Sequence, residues 1–316
     1  MNRHSPKLLQ AKTVGVSAIR RLRMHRNLGR VHSIFKQVFN IVTEDEKLIS
    51  VVSKNVGSGP INIVVDLPRD STMFSLHVNQ GQPVLSEGDM LLINRKVQIS
   101  MKYASMYKPC RHFKTLELNT IKHNLEIVKK VASSEGNFAG IGELMKCLTS
   151  NFDIVPHSGL NKFASDALFP LSSLVTNAKE ERYSDLYHSA MNLIGLGPGL
   201  TPSADDALAG LMAALLLVGE NLGVKCSRLR SINEVIISCV NGNMTTLFSM
   251  EFLRHAASGE VNEQMMTLIE AVLTSDSVNV IETTKKLLSI GETSGTDILL
   301  GLLLGTMLAI EFAEGM

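Results

Sequence analysis

Close to residue 110 the hydrophobic period of this chain changes, and that change restricts the fold more than any other feature. Before it, apolar residues come in short β-branched and aromatic runs, at 38–42, 48–52, 61–67, 73–78, 90–93 and 97–101. Turn formers separate them, among them Gly57 to Pro60 and Gln80 to Pro83. Six short runs at close spacing predict an antiparallel sheet, barrel or sandwich rather than βαβ units.

Beyond Pro109 the apolar residues fall three or four apart, the mark of amphipathic helices. This spacing predicts helices over 116–132, 141–149, 164–175, 184–194, 205–222, 229–241, 245–257, 262–274, 278–290 and 297–314. The expected fold is therefore α+β. An N-terminal antiparallel sheet or barrel-like domain over 31–110 precedes a mainly α-helical domain over 111–316, arranged as a bundle or orthogonal array.

Residues 1–30 stand apart by charge. They hold Arg3, Lys7, Lys12, Arg20, Arg21, Arg23, Arg26 and Arg30, and the first carboxylate is Glu44. Without interleaved aromatics or a nucleic-acid-binding motif, this basic segment reads as a solvated edge or subunit contact, and no nucleic-acid partner is expected. The formal charge of the whole chain is +1, so affinity for anions has to come from a local site.

Apolar residues make up 45% of the chain, enough to bury a substantial core. Cys110, Cys147, Cys226 and Cys239 are far apart and form no CxxC pair, and no two histidines share a helix face, so neither a disulfide framework nor a zinc site is expected. Reduced thiols and the lack of a secretory h-region suggest an intracellular, cytoplasmic protein. Segments 207–218 and 298–310 are strongly apolar but shorter than the ~20 residues that span a bilayer, which predicts core helices and no membrane partner.

The most specific local signal is GLGPGLTPSADDALAG, Gly195 to Gly210. Gly195, Gly197 and Gly199 permit a tight turn or a close ligand approach; Thr201 and Pro202 resemble an N-cap followed by proline in the first turn. Asp205 and Asp206 fall where a helix dipole favours carboxylates. With Ser203, such a turn offers N–H groups to an anion. Two adjacent carboxylates oppose that, which leaves two arrangements open: an anion bridged by Mg²⁺ on Asp205 and Asp206, or carboxylates accepting hydrogen bonds from a ligand amide.

A second segment, IGETSGTDILLG, repeats part of this pattern with Thr293, Ser294, Gly295 and Asp297, and matches Asp206 to Gly210 as DxLxG. Two such turns either meet to build one pocket or simply cap two core helices. A third segment places Thr245, Thr246 and Ser249 on neighbouring positions of one helix start, with Arg254 and His255 further along as candidate anion partners. P-loop, GxGxxG and GxSxG patterns are missing, and His157 stands isolated in a loop.

Together GLGPGLTPSADDALAG, the NMTT segment with its downstream ASGE, and TSGTD resemble the AllH family. The resemblance extends weakly to Ala104, Tyr107 and Pro109, with Tyr107 where the family has Trp. Ala204 departs from the family's more usual GLTPSGDD. The resemblance implies a subunit of an oxamate carbamoyltransferase, working with two other, different subunits in anaerobic allantoin and purine breakdown. The reaction it implies takes oxalurate and phosphate to oxamate and carbamoyl phosphate. Such a site binds small anions and stabilises charge on a carbamoyl oxygen. In that reading Thr201, Asp205, Asp206 and Asp297 are the catalytic candidates. Gly195, Gly197, Gly199, Ser203, Thr245, Thr246, Ser249, Thr293, Ser294 and Gly295 bind the anion, and Mg²⁺ or a partner's arginine supplies the positive charge. The alternative is a non-catalytic anion-binding or assembly subunit.

Overall fold

A computed structural model describes residues 7–24, 26–94, 97–149 and 151–315 and divides the chain into two compact units, Met1–Pro109 and Cys110–Met316. The first unit contains β1 (Lys7–Gly15), α1 (Val16–Met24), β2 (Asn27–Ile34), β3 (Val38–Thr43), β4 (Leu48–Ser53), β5 (Asn62–Val65), β6 (Pro83–Glu87), β7 (Met90–Ile93), β8 (Val97–Ser100) and β9 (Ser105–Tyr107). The strand order β5-β4-β3-β2-β6-β7-β8-β1 closes through a β1–β5 pairing into an eight-stranded barrel, with β9 added to β1. The barrel expected from the spacing of the runs is present. Its pairing is mixed, because β1 runs parallel to β8 and β9, and β4 parallel to β5.

The basic segment is not an appendage. From Lys7 onward it supplies β1, α1 and the start of β2, while Arg3 lies outside the described residues. In β1, Leu9, Ala11 and Val14 are buried while Lys7, Gln10 and Lys12 face out, so the cations occupy the outer positions of a period-two strand. Closing the barrel thus needs the stretch that charge alone set apart. The run Gly57 to Pro60 does more than break strands: the Ser17 and Ala18 N–H groups donate to Pro60 O at 3.0 Å each, anchoring the start of α1. Segment 73–78 contains a 3-10 turn, Met73–Leu76, rather than a strand. Met73 and Leu76 are buried three residues apart, one 3-10 period, and His77 follows at φ 53°.

The second unit is helical. It comprises α2 (Leu118–Glu135), a 3-10 segment (Ile141–Cys147), α3 (Lys162–Lys179), α4 (Tyr183–Met191), α5 (Ser203–Asn221), α6 (Cys226–Ser238), α7 (Leu247–Ala257), α8 (Glu263–Thr274), α9 (Ser277–Leu288) and α10 (Ser294–Glu314). The spacing-derived helix at 141–149 is thus a 3-10 segment; the other nine fall on α-helices. Cys147 and Cys239 are buried, whereas Cys110 is exposed and Cys226 partly so; all four are free thiols.

At the centre, α5 and α10 are buried along nearly their whole length. By length and composition α10 is able to cross a membrane, but 83% of its apolar window is buried inside the protein, so it is a core helix. The two helices touch backbone to backbone. A Cβ on Gly210 falls 2.2 Å from Ile298 O, one on Gly301 falls 1.8 Å from Ala207 O, and one on Gly305 falls 2.3 Å from Leu211 O. The pairs Ala207–Gly301 and Leu211–Gly305 advance together by four residues, and Ser294 at the start of α10 bonds Asp206 at the start of α5, so α5 and α10 run parallel with their N-termini at the same end.

Gly301→Ala is therefore expected to lower unfolding free energy by about 3 kcal/mol, because a backbone oxygen has no rotamer by which to retreat. Gly219→Ala, whose Cβ meets only the Leu229 methyls at 2.7 and 2.8 Å, is expected to stay within about 1 kcal/mol of the parent, helped by the better helix propensity of alanine. Urea unfolding of the two variants checks the contrast.

Candidate functional site

Where α5 and α10 begin, three carboxylates lie in the core. Asp205 and Asp297 are 0% exposed and Asp206 is 2% exposed. Among the described residues none of the three forms an ion pair with Lys, Arg or His. Their surroundings are instead hydroxyl and backbone N–H donors.

Asp205 ties the Gly-rich turn to α7. Its Oδ1 accepts from the Gly195 N–H at 2.8 Å, and its Oδ2 accepts from the Ser249 hydroxyl at 2.5 Å and from the Thr245 hydroxyl. Burial pushes its carboxyl up from the ordinary range, and the Ser249, Thr245 and Gly195 donors restrain the shift. Gly195 itself sits at φ 81°, where a Cβ lies 2.0 Å from Met244 O, so this turn admits only glycine. Thr246 caps α7 by accepting from the Ser249 N–H at 3.1 Å and donates to Leu200 O at 2.6 Å.

Asp206 and Asp297 cross between the two helices. The Ser294 hydroxyl of α10 bonds the Asp206 carboxyl of α5, and the Thr201 hydroxyl donates to Asp206 Oδ2 at 3.1 Å. In the other direction Ser203 of α5 faces the Asp297 carboxyl of α10. The same sequence offset separates Ser203 from Ser294, Asp206 from Asp297 and Gly210 from Gly301. The two helix starts are thus related by an approximate two-fold exchange of serine and aspartate. It is imperfect: Ser203 Oγ and Asp297 Oδ2 are buried and lack a hydrogen bond of regular geometry, so Ser203 acts on Asp297 by proximity.

A third chain segment completes this centre. Asp297 Oδ1 accepts from the Gly142 N–H at 2.6 Å, and the Ile141 N–H and Thr293 hydroxyl also bond this carboxyl. A Cβ on Gly140 falls 2.5 Å from both Asp297 oxygens and 2.8 Å from Ser203 Oγ, so a side chain is excluded there. Gly140 and Gly142 are not among the sequence candidates, because they stand far from both motifs, one just before and one inside the stretch 141–149 that is patterned as a helix. The Gly-Ile-Gly doublet at the start of that stretch was the available signal.

The turns leave donors unused. Among the described residues the N–H groups of Gly197, Gly199, Leu200, Thr201 and Ser203 in the first turn, and of Glu292, Thr293 and Ser294 in the second, have no protein acceptor. Gly197 and Gly199 take φ values of 109° and 107°, and a Cβ on Gly197 lies 2.8 Å from Ser203 N. Gly295 lies apart from this group. It packs against α9, a Cβ there meeting Leu287 O at 2.3 Å, and its N–H is held by Ile290 O. Ala204 is buried with its N–H bonded to Leu196 O, so alanine is accommodated in the turn. Arg254 and His255 do not reach the acids, and His157 is exposed with Nδ1 against Ser158 O.

Two facts bear on Mg²⁺. Both Asp205 oxygens are taken by protein donors, and among the described residues no three His, Cys, Asp or Glu side chains are grouped to hold a metal. Mg²⁺ favours six oxygens in an octahedron, and this arrangement provides no protein cage of that kind.

Burial pushes Asp206 well above the ordinary carboxylate range, and the nearby Asp297 and Asp205 charges add to it against the Ser294 and Thr201 hydroxyls. Burial likewise raises Asp297 to about 6, despite its donors. A carboxyl raised in the fold keeps a proton that the unfolded chain has already lost. Its stabilising contribution is whole below about pH 4 and is lost as pH rises through about 6. The stability of Asp297→Asn relative to the parent is therefore expected to increase between pH 4.5 and pH 7.5 (both rough choices bracketing that window). A difference independent of pH in urea titrations contradicts the shift.

The family described as "Oxamate carbamoyltransferase subunit AllH" matches residues 193–306, which hold every residue of the α5 and α10 starts. The family described as "AllH family N-terminal domain" matches residues 10–106, the barrel. No solved structure matches the chain. With both parts covering most of its length, the chain belongs to the AllH family of oxamate carbamoyltransferase subunits.

Proposed function

We propose that this chain acts in carbamoyl transfer between oxalurate and phosphate, as one of three different subunits of a cytoplasmic complex in anaerobic purine breakdown. The observation that carries the reading is the coincidence of two helix starts, both with unsatisfied N–H donors, around carboxyls that share hydroxyls across the helices. Helix N-termini attract anions, and two of them at one point suit a reaction between two anions.

In this reading a phosphate oxygen attacks the ureido carbon of oxalurate. The C–N bond breaks, the nitrogen leaves in oxamate, and the phosphate proton ends on that nitrogen. The Gly197 to Ser203 and Glu292 to Ser294 N–H groups hold phosphate and the developing oxyanion. A protonated Asp206 passes a proton to the leaving nitrogen and is restored by the phosphate O–H. Thr201 and Ser294 orient that carboxyl. Asp297 keeps the 3-10 segment in place, and Asp205 with Thr245, Thr246 and Ser249 holds the Gly-rich turn.

A second reading has its own observation. No basic side chain of the described residues pairs with the three acids, although two anionic reactants call for a cation. A partner subunit's arginine, or Mg²⁺ carried in with phosphate, supplies it. In the limiting case this chain binds anion and the chemistry is completed by its partners. Turnover by the assembled complex with Asp206→Ala and Asp297→Ala in this chain is expected to fall by at least about a hundredfold, the scale of losing a proton-transfer group. Near-normal turnover overturns the catalytic role. A phosphate-induced rise in melting temperature that persists in the variants but does not translate into turnover by this chain alone favours the binding-subunit form.

A further inference from the structure

Away from the acids, a cleft of about 680 Å³ opens between α6, α7 and the C-terminal half of α5, lined by Arg111, Arg230, Arg254 and Asn233. Leu216 of α5 lies in its wall, about ten residues and roughly 15 Å along the helix from Asp206. The cleft is thus a separate place on the second unit: neither Gly-rich turn nor any of the three buried acids lines it, while Arg254, Ala257, Ser258 and Glu260 come from the stretch that runs from the NMTT segment to ASGE.

Its charges are unequally committed. Arg111 is spent: Nη2 grips both Glu220 oxygens at 2.8 and 2.9 Å, and Nη1 donates to Ser258 O at 2.9 Å. Arg230 reaches the same carboxylate only at 4.0 Å, and Arg254 forms no ion pair among the described residues. Glu234 also lines the cleft and forms no ion pair among the described residues, and Glu260 Oε2 lies 2.8 Å from His255 Nδ1. With two guanidiniums available against nearby acids, the lining suits one negative charge rather than several.

The floor adds a second requirement. Asn233 is 1% exposed, and its Nδ2 donates to Met212 O at 3.0 Å and Ala257 O at 3.1 Å, which fixes the orientation of the amide. Its Oδ1 is buried and has no hydrogen-bond partner among the described residues. A buried acceptor left unmet is a penalty that a ligand N–H removes. Leu216, Ile237 and Ala257 offer an apolar wall beside it.

We infer that this cleft binds a small monocarboxylate carrying an amide N–H. The carboxylate lies between Arg230 and Arg254, the N–H points to Asn233 Oδ1, and the aliphatic part rests on Leu216, Ile237 and Ala257. The inference does not depend on the reading of the α5 and α10 starts.

Calorimetric titration of the full chain with N-acetylglycine, acetate and N-acetylglycinamide separates the two requirements. N-acetylglycine is expected to bind at least about tenfold more tightly than either probe lacking one group. Arg254→Met and Arg230→Met, both at exposed side chains, are each expected to weaken it about tenfold, while Asp206→Ala leaves it unchanged. No saturable binding, equal binding of acetate, or insensitivity to both arginine variants overturns the site. Loss of binding in Asp206→Ala with retention in Arg254→Met moves the ligand to the helix starts and also overturns it.

Discussion

The second unit depends on one contact, the direct backbone packing of α5 against α10. Gly210, Gly301 and Gly305 bring carbonyl oxygens of each helix to where a side chain otherwise stands, and no larger residue fits. The approach makes the helices parallel and starts them side by side. Two like dipole ends then face the same small volume, an arrangement that calls for negative charge. Asp205, Asp206 and Asp297 occupy that volume, and their burial follows from the packing rather than from any local preference.

Two physical effects oppose each other there. Helix starts and hydroxyl donors favour ionised carboxylates, whereas burial away from water favours the protonated form. Burial prevails for all three acids, most strongly for Asp206, which also feels its two acidic neighbours. The result is a set of carboxyls shifted toward the protonated form beside N–H donors that have no protein acceptor among the described residues. In such a place anion binding and proton uptake are coupled, because an anion further disfavours the charged carboxylate. The Ser203–Asp297 and Ser294–Asp206 exchange lets both helices share this state.

Much of the fold was legible because period reports burial. The switch near residue 110 coincides with the boundary after Pro109, and nine of the ten helical stretches fall on α-helices. What the sequence concealed had particular causes. In β1 alternating lysines and a glutamine masked the buried Leu9, Ala11 and Val14, and the parallel pairings of β1 and β4 are long-range facts with no local mark. At 73–78 a buried i, i+3 pair looks like a short apolar run. The DxLxG match linked Asp206 to Asp297 and Gly210 to Gly301, and the helix contact accounts for that link. Ser203 and Ser294 carry the same offset, but the unequal turns before them hid it. Gly140 and Gly142 enter only through folding, and Gly295, motif-like in sequence, serves packing against α9.

The most direct measurement is a carbon-detected NMR titration of the aspartate side-chain carboxyls, with and without sulfate, an anion that does not itself titrate in this range. Asp206 is expected to titrate well above the ordinary aspartate range and Asp297 at about 6, with both moving higher when sulfate is bound. Ordinary aspartate values for both residues, unchanged by sulfate, contradict a shared anion-linked centre at the starts of α5 and α10.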